Sequence, residues 1–124
     1  MTVFYLSRTP PSVNNLYVHA PGKGRVKTCD YRTWIRLSAM ELAMQRPERF
    51  TTRVDIVIRI PEPVRGDVSN RIKAAEDLLV RTGVIPDDNG KHVRSCKAEF
   101  ADVARTEIVV TEAVVTEAGP EGTQ

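Results

Sequence analysis

The clearest pattern in the chain runs from Thr52 to Ile60, where Val54, Ile56, Ile58 and Ile60 alternate with Arg53, Asp55, Val57 and Arg59. A period of two predicts a strand with one buried face and one partly polar face. Pro61 and Pro63 end it. Val3 to Ser7 predicts a shorter strand on the same grounds, with Phe4 and Leu6 alternating against Val3 and Tyr5. From Asp30 to about Gln45 the period becomes helical, and Tyr31, Ile35, Ala39 and Leu42 form one stripe with Trp34 alongside. Asp30 is the expected N-cap. The stripe reads as core or dimer contact, with base stacking by Trp34 as the alternative.

A second helix is expected from about Val68 to Arg81, packed through Ile72, Ala75, Leu79 and Leu78. Its other face carries Asn70, Lys73 and Asp77, and Gly83 suits the residue just past its end. Val93 to Ala101 alternates again, and Arg105 to Thr111 contains Ile108 and Val110. With Asp102 at a turn between them, these two strands are expected to form an antiparallel hairpin. Arg8 to Tyr17 reads as a loop, and Gly22 to Thr28 as a segment that is mobile until something anionic binds it. Four strands and two main helices predict a single α/β domain, a mixed four-stranded sheet packed with helices, over residues 1–112. Residues 113–124 lose the pattern and are expected to be a disordered tail.

Composition changes this picture little. At 124 residues the chain is one domain, and 27% charged residues with 6% aromatics is an ordinary soluble balance. No run of eighteen apolar residues exists, so no membrane span is expected. Met1 to Leu6 lacks a basic start and a cleavage site and does not read as a secretory signal. Cys29 and Cys96 have no metal-type spacing, which favours reduced thiols in a cytoplasmic protein. A net charge of +2 does not by itself imply a nucleic-acid partner. Its distribution says more: Lys23, Arg25, Lys27, Arg32 and Arg36 cluster with only Asp30 among them. Such a cluster can neutralise phosphates, or can be a solvated basic face. Lys23 and Arg25 are the first candidates for DNA contacts.

The candidate chemistry falls where a strand, a helix and a turn join. Asp67 precedes the second helix, Lys73 and Asp77 lie four residues apart on it, and Asp87-Asp88-Asn89-Gly90 follows. Carboxylates from two loops with a lysine between them suit a hard divalent cation acting on phosphate. Each also has a structural reading. Asp67 or Ser69 could cap the helix, Lys73 and Asp77 could be a solvated pair, and the acidic turn could be only a turn.

Two motifs favour the chemical reading. Asp67, Asn70, Lys73, Asp77, Leu79, Gly83, Asp87 and Asp88 match a pattern of roughly D-x-D-N-x-x-K-x-x-x-D-x-L followed by a glycine and an aspartate pair. Pro10-Pro11-Ser12-Val13-Asn14-Asn15-Leu16-Tyr17 is similar to P-P-S-x-N-x-x-Y. In both, and over nearly its whole length, the chain resembles the RusA family of Holliday-junction resolvases, small metal-dependent DNA endonucleases often encoded by phages and prophages.

The resemblance implies a RusA-like fold and a magnesium-dependent endodeoxyribonuclease, with Mn²⁺ as a possible substitute. Asp67 and Asp88 would be direct metal ligands, with Asp87 as a further candidate. Lys73 would offer charge to the phosphate or the leaving oxygen. Ser69, Asn70 and Asp77 would surround these groups. Asn14, Asn15, Tyr17, Lys23, Arg25, Lys27 and Arg71 would contact DNA. The partner would be four-way or other branched DNA, in recombination, repair or debranching. Two symmetric nicks call for a C2 homodimer.

One position departs: Ser69 stands where the family has its second aspartate. Serine is a neutral and poorer ligand unless Asn70, Glu76 or Asp87 compensates. This leaves open a dimer that binds branched DNA but cuts it weakly, and an enzyme for flaps or forks.

Overall fold

The alternating run becomes one of the two inner strands of the sheet. A computed structural model of the chain describes residues 1–62 and 67–113. In order, the elements are β1 (Thr2–Leu6), a 3₁₀ turn (Val13–Asn15), β2 (Tyr17–Ala20), β3 (Gly24–Lys27) and α1 (Cys29–Met44). Then follow β4 (Val54–Pro61), a second 3₁₀ turn (Val68–Arg71), α2 (Ile72–Arg81), β5 (Val93–Ala101) and β6 (Thr106–Glu112). The main sheet has the order β1-β6-β4-β5. β4 runs parallel to β5 and antiparallel to β6, and β6 is antiparallel to β1. The expected α/β class and mixed four-stranded sheet with two helices are borne out.

Val54, Ile56, Ile58 and Ile60 are fully or almost fully buried. They share one core with Phe4, Leu6, Ile108 and Val110 of the sheet and Tyr31, Trp34, Ile35, Leu42, Ala74, Ala75, Leu78 and Leu79 of the helices. The core therefore lies between one sheet face and the two helices. The other face is laced with ion pairs. Arg59 reaches Glu99 at 3.4 Å and Glu107 at 3.1 Å, its register neighbours on both sides, and Arg94 pairs with Asp55. The two half-exposed pairs of Arg59 contribute at most about 1 kcal/mol each. Together the ion pairs give the charged residues of β4 and β5 a reason to alternate with the core set.

Several expectations change. The hairpin expected between β5 and β6 does not form, because β4 lies between them. The reason is α2, which carries the chain from the end of β4 back to the start of a parallel neighbour. Gly22 to Thr28, expected to be mobile, belongs largely to a β-hairpin in which Tyr17 pairs with Lys27 and Ala20 with Gly24. Gly22 and Gly24, with φ of 75° and 73°, allow its tight turn. Helix α1 is capped by Thr28, whose hydroxyl accepts from the Tyr31 N–H at 3.1 Å, while Asp30 sits in its first turn. The second helix is shorter than expected, since residues 68–71 form a 3₁₀ turn. Neither it nor α2 has a side-chain cap, so neither Asp67 nor Ser69 caps there. Gly83 does take the left-handed conformation past α2, at φ 78°. The expected tail, apart from Ala113, lies outside the described residues.

At the sheet's β1 edge, the side-chain amide of Gln45 accepts from the Tyr5 N–H at 2.9 Å and donates to the Tyr5 carbonyl at 2.7 Å. Glu41 accepts from the Ser7 N–H at 3.2 Å and from the Ser7 hydroxyl at 2.5 Å. The end of α1 thereby satisfies backbone groups that would otherwise offer a pairing edge.

Candidate functional site

The site forms where α2, the acidic turn and the β2–β3 hairpin meet. Lys73 and Asp77 are one helical turn apart, which places both on one face of α2. The Lys73 ammonium is 3.1 Å from Asp77 Oδ1 and 3.4 Å from Asp88 Oδ2. Asp88 is presented by a turn that Asp87 builds. One Asp87 oxygen accepts from the Asp88 N–H at 2.7 Å, and the other accepts from the Asn89 side-chain amide at 3.2 Å. Both Asp87 oxygens therefore shape the turn, and Asp88 is left facing the lysine. The two carboxylates raise the Lys73 pKa, the hydrogen bond to Asp77 being the main cause.

Behind Asp77 lies Tyr31 of α1, whose hydroxyl donates to Asp77 Oδ2 at 2.5 Å. Burial, and then this bond, push the Tyr31 pKa far above its ordinary value. The Tyr31 ring is fully buried, edge-on to Tyr17 at 6.0 Å between centroids and stacked on Trp34 at 6.5 Å. A connected chain results: Tyr31 holds Asp77, Asp77 holds Lys73, and Lys73 reaches Asp88.

Glu76 lies on the side of α2 that faces β5. Burial raises its pKa, and the charge of Asp88 raises it further. The Cys96 thiol of β5 lies beside Glu76 and is itself pushed up to about 12, chiefly by burial and then by the Glu76 charge. This thiol therefore has no thiolate character near neutral pH.

The groups open into a cleft of about 310 Å³ lined by Tyr17, Lys27, Ile35, Asp77, Val80, Arg81, Asp87 and Asp88. Of the residues expected at the site, Lys73, Asp77, Asp87 and Asp88 are thus brought together, with Tyr17 and Lys27 beside them. Asp67 and Ser69 are exposed in the chain before α2. Asn70 is half-buried there, and its N–H donates to the Asp67 carbonyl at 3.2 Å. The Arg71 guanidinium donates to the Pro10 carbonyl at 2.7 Å and so ties the two motifs together. The Arg25 guanidinium lies over the Tyr17 ring, 4.2 Å from its centroid. Asn14, Asn15 and Lys23 are exposed, the first two in the 3₁₀ turn and Lys23 in the hairpin turn.

Among the described residues, no three His, Cys, Asp or Glu side chains are gathered as a metal-holding group. Asp67, Asp87 and Asp88 therefore do not form a ready-made cage. The donor chemistry nevertheless suits a hard cation. Asp77 and Asp88 already share one positive charge, the Lys73 ammonium, and the nearby thiol stays protonated beside Glu76. Magnesium keeps several waters and needs only one or two carboxylates.

Tyr31 and Glu76 were not expected at the site as they stand. Tyr31 reads from sequence as one residue of an apolar stripe. The available signal was its hydroxyl, which needs a partner when buried. Glu76 was expected only as a substitute ligand, and its burial against Cys96 has no local sequence signal.

No family model matches the chain. Crossover junction endodeoxyribonuclease RusA of Aquifex aeolicus (strain VF5) is 28% identical to it over 88 residues, covering 68% of this chain and 70% of that protein. The chain is thus distantly similar to a RusA protein, in agreement with the resemblance of its two motifs.

Proposed function

We propose that this chain is a DNA endonuclease that resolves Holliday junctions by paired symmetric nicks, acting in recombination or repair. The observation that carries the reading is Lys73, a cation held between Asp77 and Asp88, two carboxylates that line a cleft together with Lys27 and Arg81. Phosphodiester cleavage calls for this mixture: carboxylates for a metal, and separate cations for phosphate. The similarity to RusA supports branched DNA as the substrate class.

The roles follow from position. Lys73 is a mobile point charge that turns from Asp88 to the scissile phosphate or leaving oxygen. Asp77, fixed by Tyr31, keeps Lys73 over the cleft while it does so. Lys27 and Arg81 neutralise phosphates on either side. Asp88 and Asp67 would hold magnesium, with Asp87 supporting Asp88. Magnesium, when bound, supplies activation of water and neutralisation of charge on the phosphate. Residues 1–112 are the endonuclease unit. One acidic cluster cuts one strand, so paired nicks require a homodimer with two sites.

A second reading has its own support. Ser69 replaces an expected ligand, and no metal-holding group is gathered among the described residues. On this reading the dimer binds branched DNA and cuts it poorly.

The test is nicking of a labelled mobile four-way junction against linear duplex of the same sequence, with Mg²⁺, Mn²⁺ or chelator. Symmetric, metal-dependent nicks that disappear in Asp88→Asn are the expected result. Tight junction binding without nicks would establish the binder, and Ser69→Asp would then be expected to restore cutting. Neither binding nor cutting would refute both readings.

A further inference from the structure

The cleft at the acidic site is the end of a longer groove. It shares Lys27, Ile35 and Arg81 with a neighbouring cleft of about 630 Å³, lined further by Cys29, Arg32, Thr33, Arg36 and Ala39. That cleft shares Ala39 and Arg81 with a third of about 480 Å³, which runs on past Ala43 to Arg46, Pro47 and Arg49. Six cations line the path: Lys27, Arg32, Arg36, Arg46, Arg49 and Arg81. Among the described residues, carboxylates line only its first section.

None of the six cations forms an ion pair among the described residues, whereas Arg59, Lys73, Arg94 and Lys97 all do. On a chain with a net charge of only +2, this concentrates uncompensated charge in one groove. Some of the cations are also held in place by neutral contacts. Arg32 donates to the Lys27 carbonyl at 3.1 Å and lies 3.3 Å from Cys29 Sγ. The Arg49 guanidinium packs over Gly83, with Nη1 2.6 Å from where a Cβ would stand. Arg81 lies in the last turn of α2, where the helix dipole favours a cation.

We propose that this groove is a phosphate track that carries one duplex arm of DNA away from the acidic cleft. The proposal rests on the endonuclease reading and adds the path of the arm. From Arg32 to Ala43, both on the track, α1 alone spans about 17 Å at helical rise, the axial length of about five base pairs. Among the described residues, the second and third clefts are lined by no aromatic side chain. Single strands are held by stacking bases on aromatics, so a groove of arginines without them suits the outside of a duplex. Phosphate contacts of this kind position the arm without reading its sequence.

The experiment compares Arg36→Gln/Arg46→Gln/Arg49→Gln, which leaves the acidic cleft untouched, with the parent protein, both carrying Asp88→Asn and both checked for an unchanged melting curve. Binding to a four-way junction with 20-base-pair arms is measured by anisotropy across a salt series. Loss of three phosphate contacts lowers the log–log salt slope by about 2.7 and weakens binding by roughly 10- to 100-fold near 0.1 M salt. A second readout uses Cys29, which is exposed and lines the second cleft of the track. Saturating junction should slow its alkylation by iodoacetamide in the parent protein. If the junction binds but the triple variant keeps the parent affinity and slope, or Cys29 stays equally reactive, the track is refuted and the endonuclease reading stands. A single-stranded oligonucleotide that binds as tightly and protects Cys29 as well would overturn the duplex assignment. A parent protein that binds no junction refutes both.

Discussion

Replacing Tyr31 with Phe removes one atom and tests the chain of contacts behind Lys73. The ring is fully buried, and its contacts with Tyr17 and Trp34 need no hydroxyl. What is lost is the donor to Asp77 Oδ2 at 2.5 Å. A hydrogen bond to an ionised carboxylate contributes about 1.5–3 kcal/mol. Here the lower part of that range applies, because Asp77 keeps Lys73 at 3.1 Å and 23% of its side-chain surface remains exposed. The expected loss is about 1–2 kcal/mol, or about 4–8 °C in Tm for a domain of this size. The pH dependence follows from the raised Tyr31 pKa. A folded-state pKa above the unfolded 10.0 gives stability that is complete below pH 10 and is lost as pH rises further. The gap between the two proteins should therefore be constant from pH 6 to 9 and narrow above pH 10. On the endonuclease reading, Tyr31→Phe also slows nicking about tenfold at saturating junction, with unchanged junction affinity, because Tyr31 positions Lys73 through Asp77. Thermal melts across pH and single-turnover nicking measure both effects. A variant that melts and nicks like the parent would refute the reasoning.

Two further outcomes follow from the same geometry. Glu76 has a raised folded-state pKa, so its stabilising contribution is present below its ordinary value of 4.5 and is lost as pH rises through the folded value. Glu76→Gln should therefore melt higher than the parent at pH 7 and lose that advantage below about pH 4; equal melting at pH 7 would contradict it. At Gly83 an added Cβ meets only the flexible end of Arg49, so the φ of 78° sets the cost. Gly83→Ala should lose about 1–2 kcal/mol in urea titration, and a value near zero would show that the turn rearranges.

Much of the layout was legible because it rests on local periods. The β4 alternation gave its buried face residue by residue, and the apolar positions of α2 gave the face that leaves Lys73 and Asp77 together. Pairing was not legible in the same way. β5 and β6 each alternate, but which strand lies between them depends on a crossover through α2, not on either sequence. The β2–β3 hairpin was hidden by its polar composition: His19, Arg25 and Lys27 stand where a hydrophobic face would have signalled strands. At the site, the spacing of Lys73 and Asp77 was readable from the helix. Tyr31 and Asp77 are 46 positions apart, and nothing in local pattern links them.

The position of β6 has a consequence for how the chain reaches this fold. β6 lies between β1 and β4, and Thr2 pairs with Val110. Until residues 106–112 are available, β1 has no strand to pair with and one edge of β4 is bare. Closing the sheet therefore joins segments about a hundred residues apart, which costs loop entropy before any contact repays it. Early in synthesis the stripe from Val54 to Ile60 is exposed on a chain that cannot yet complete its core. Closure of the sheet is thus a late and slow event, timed by β6.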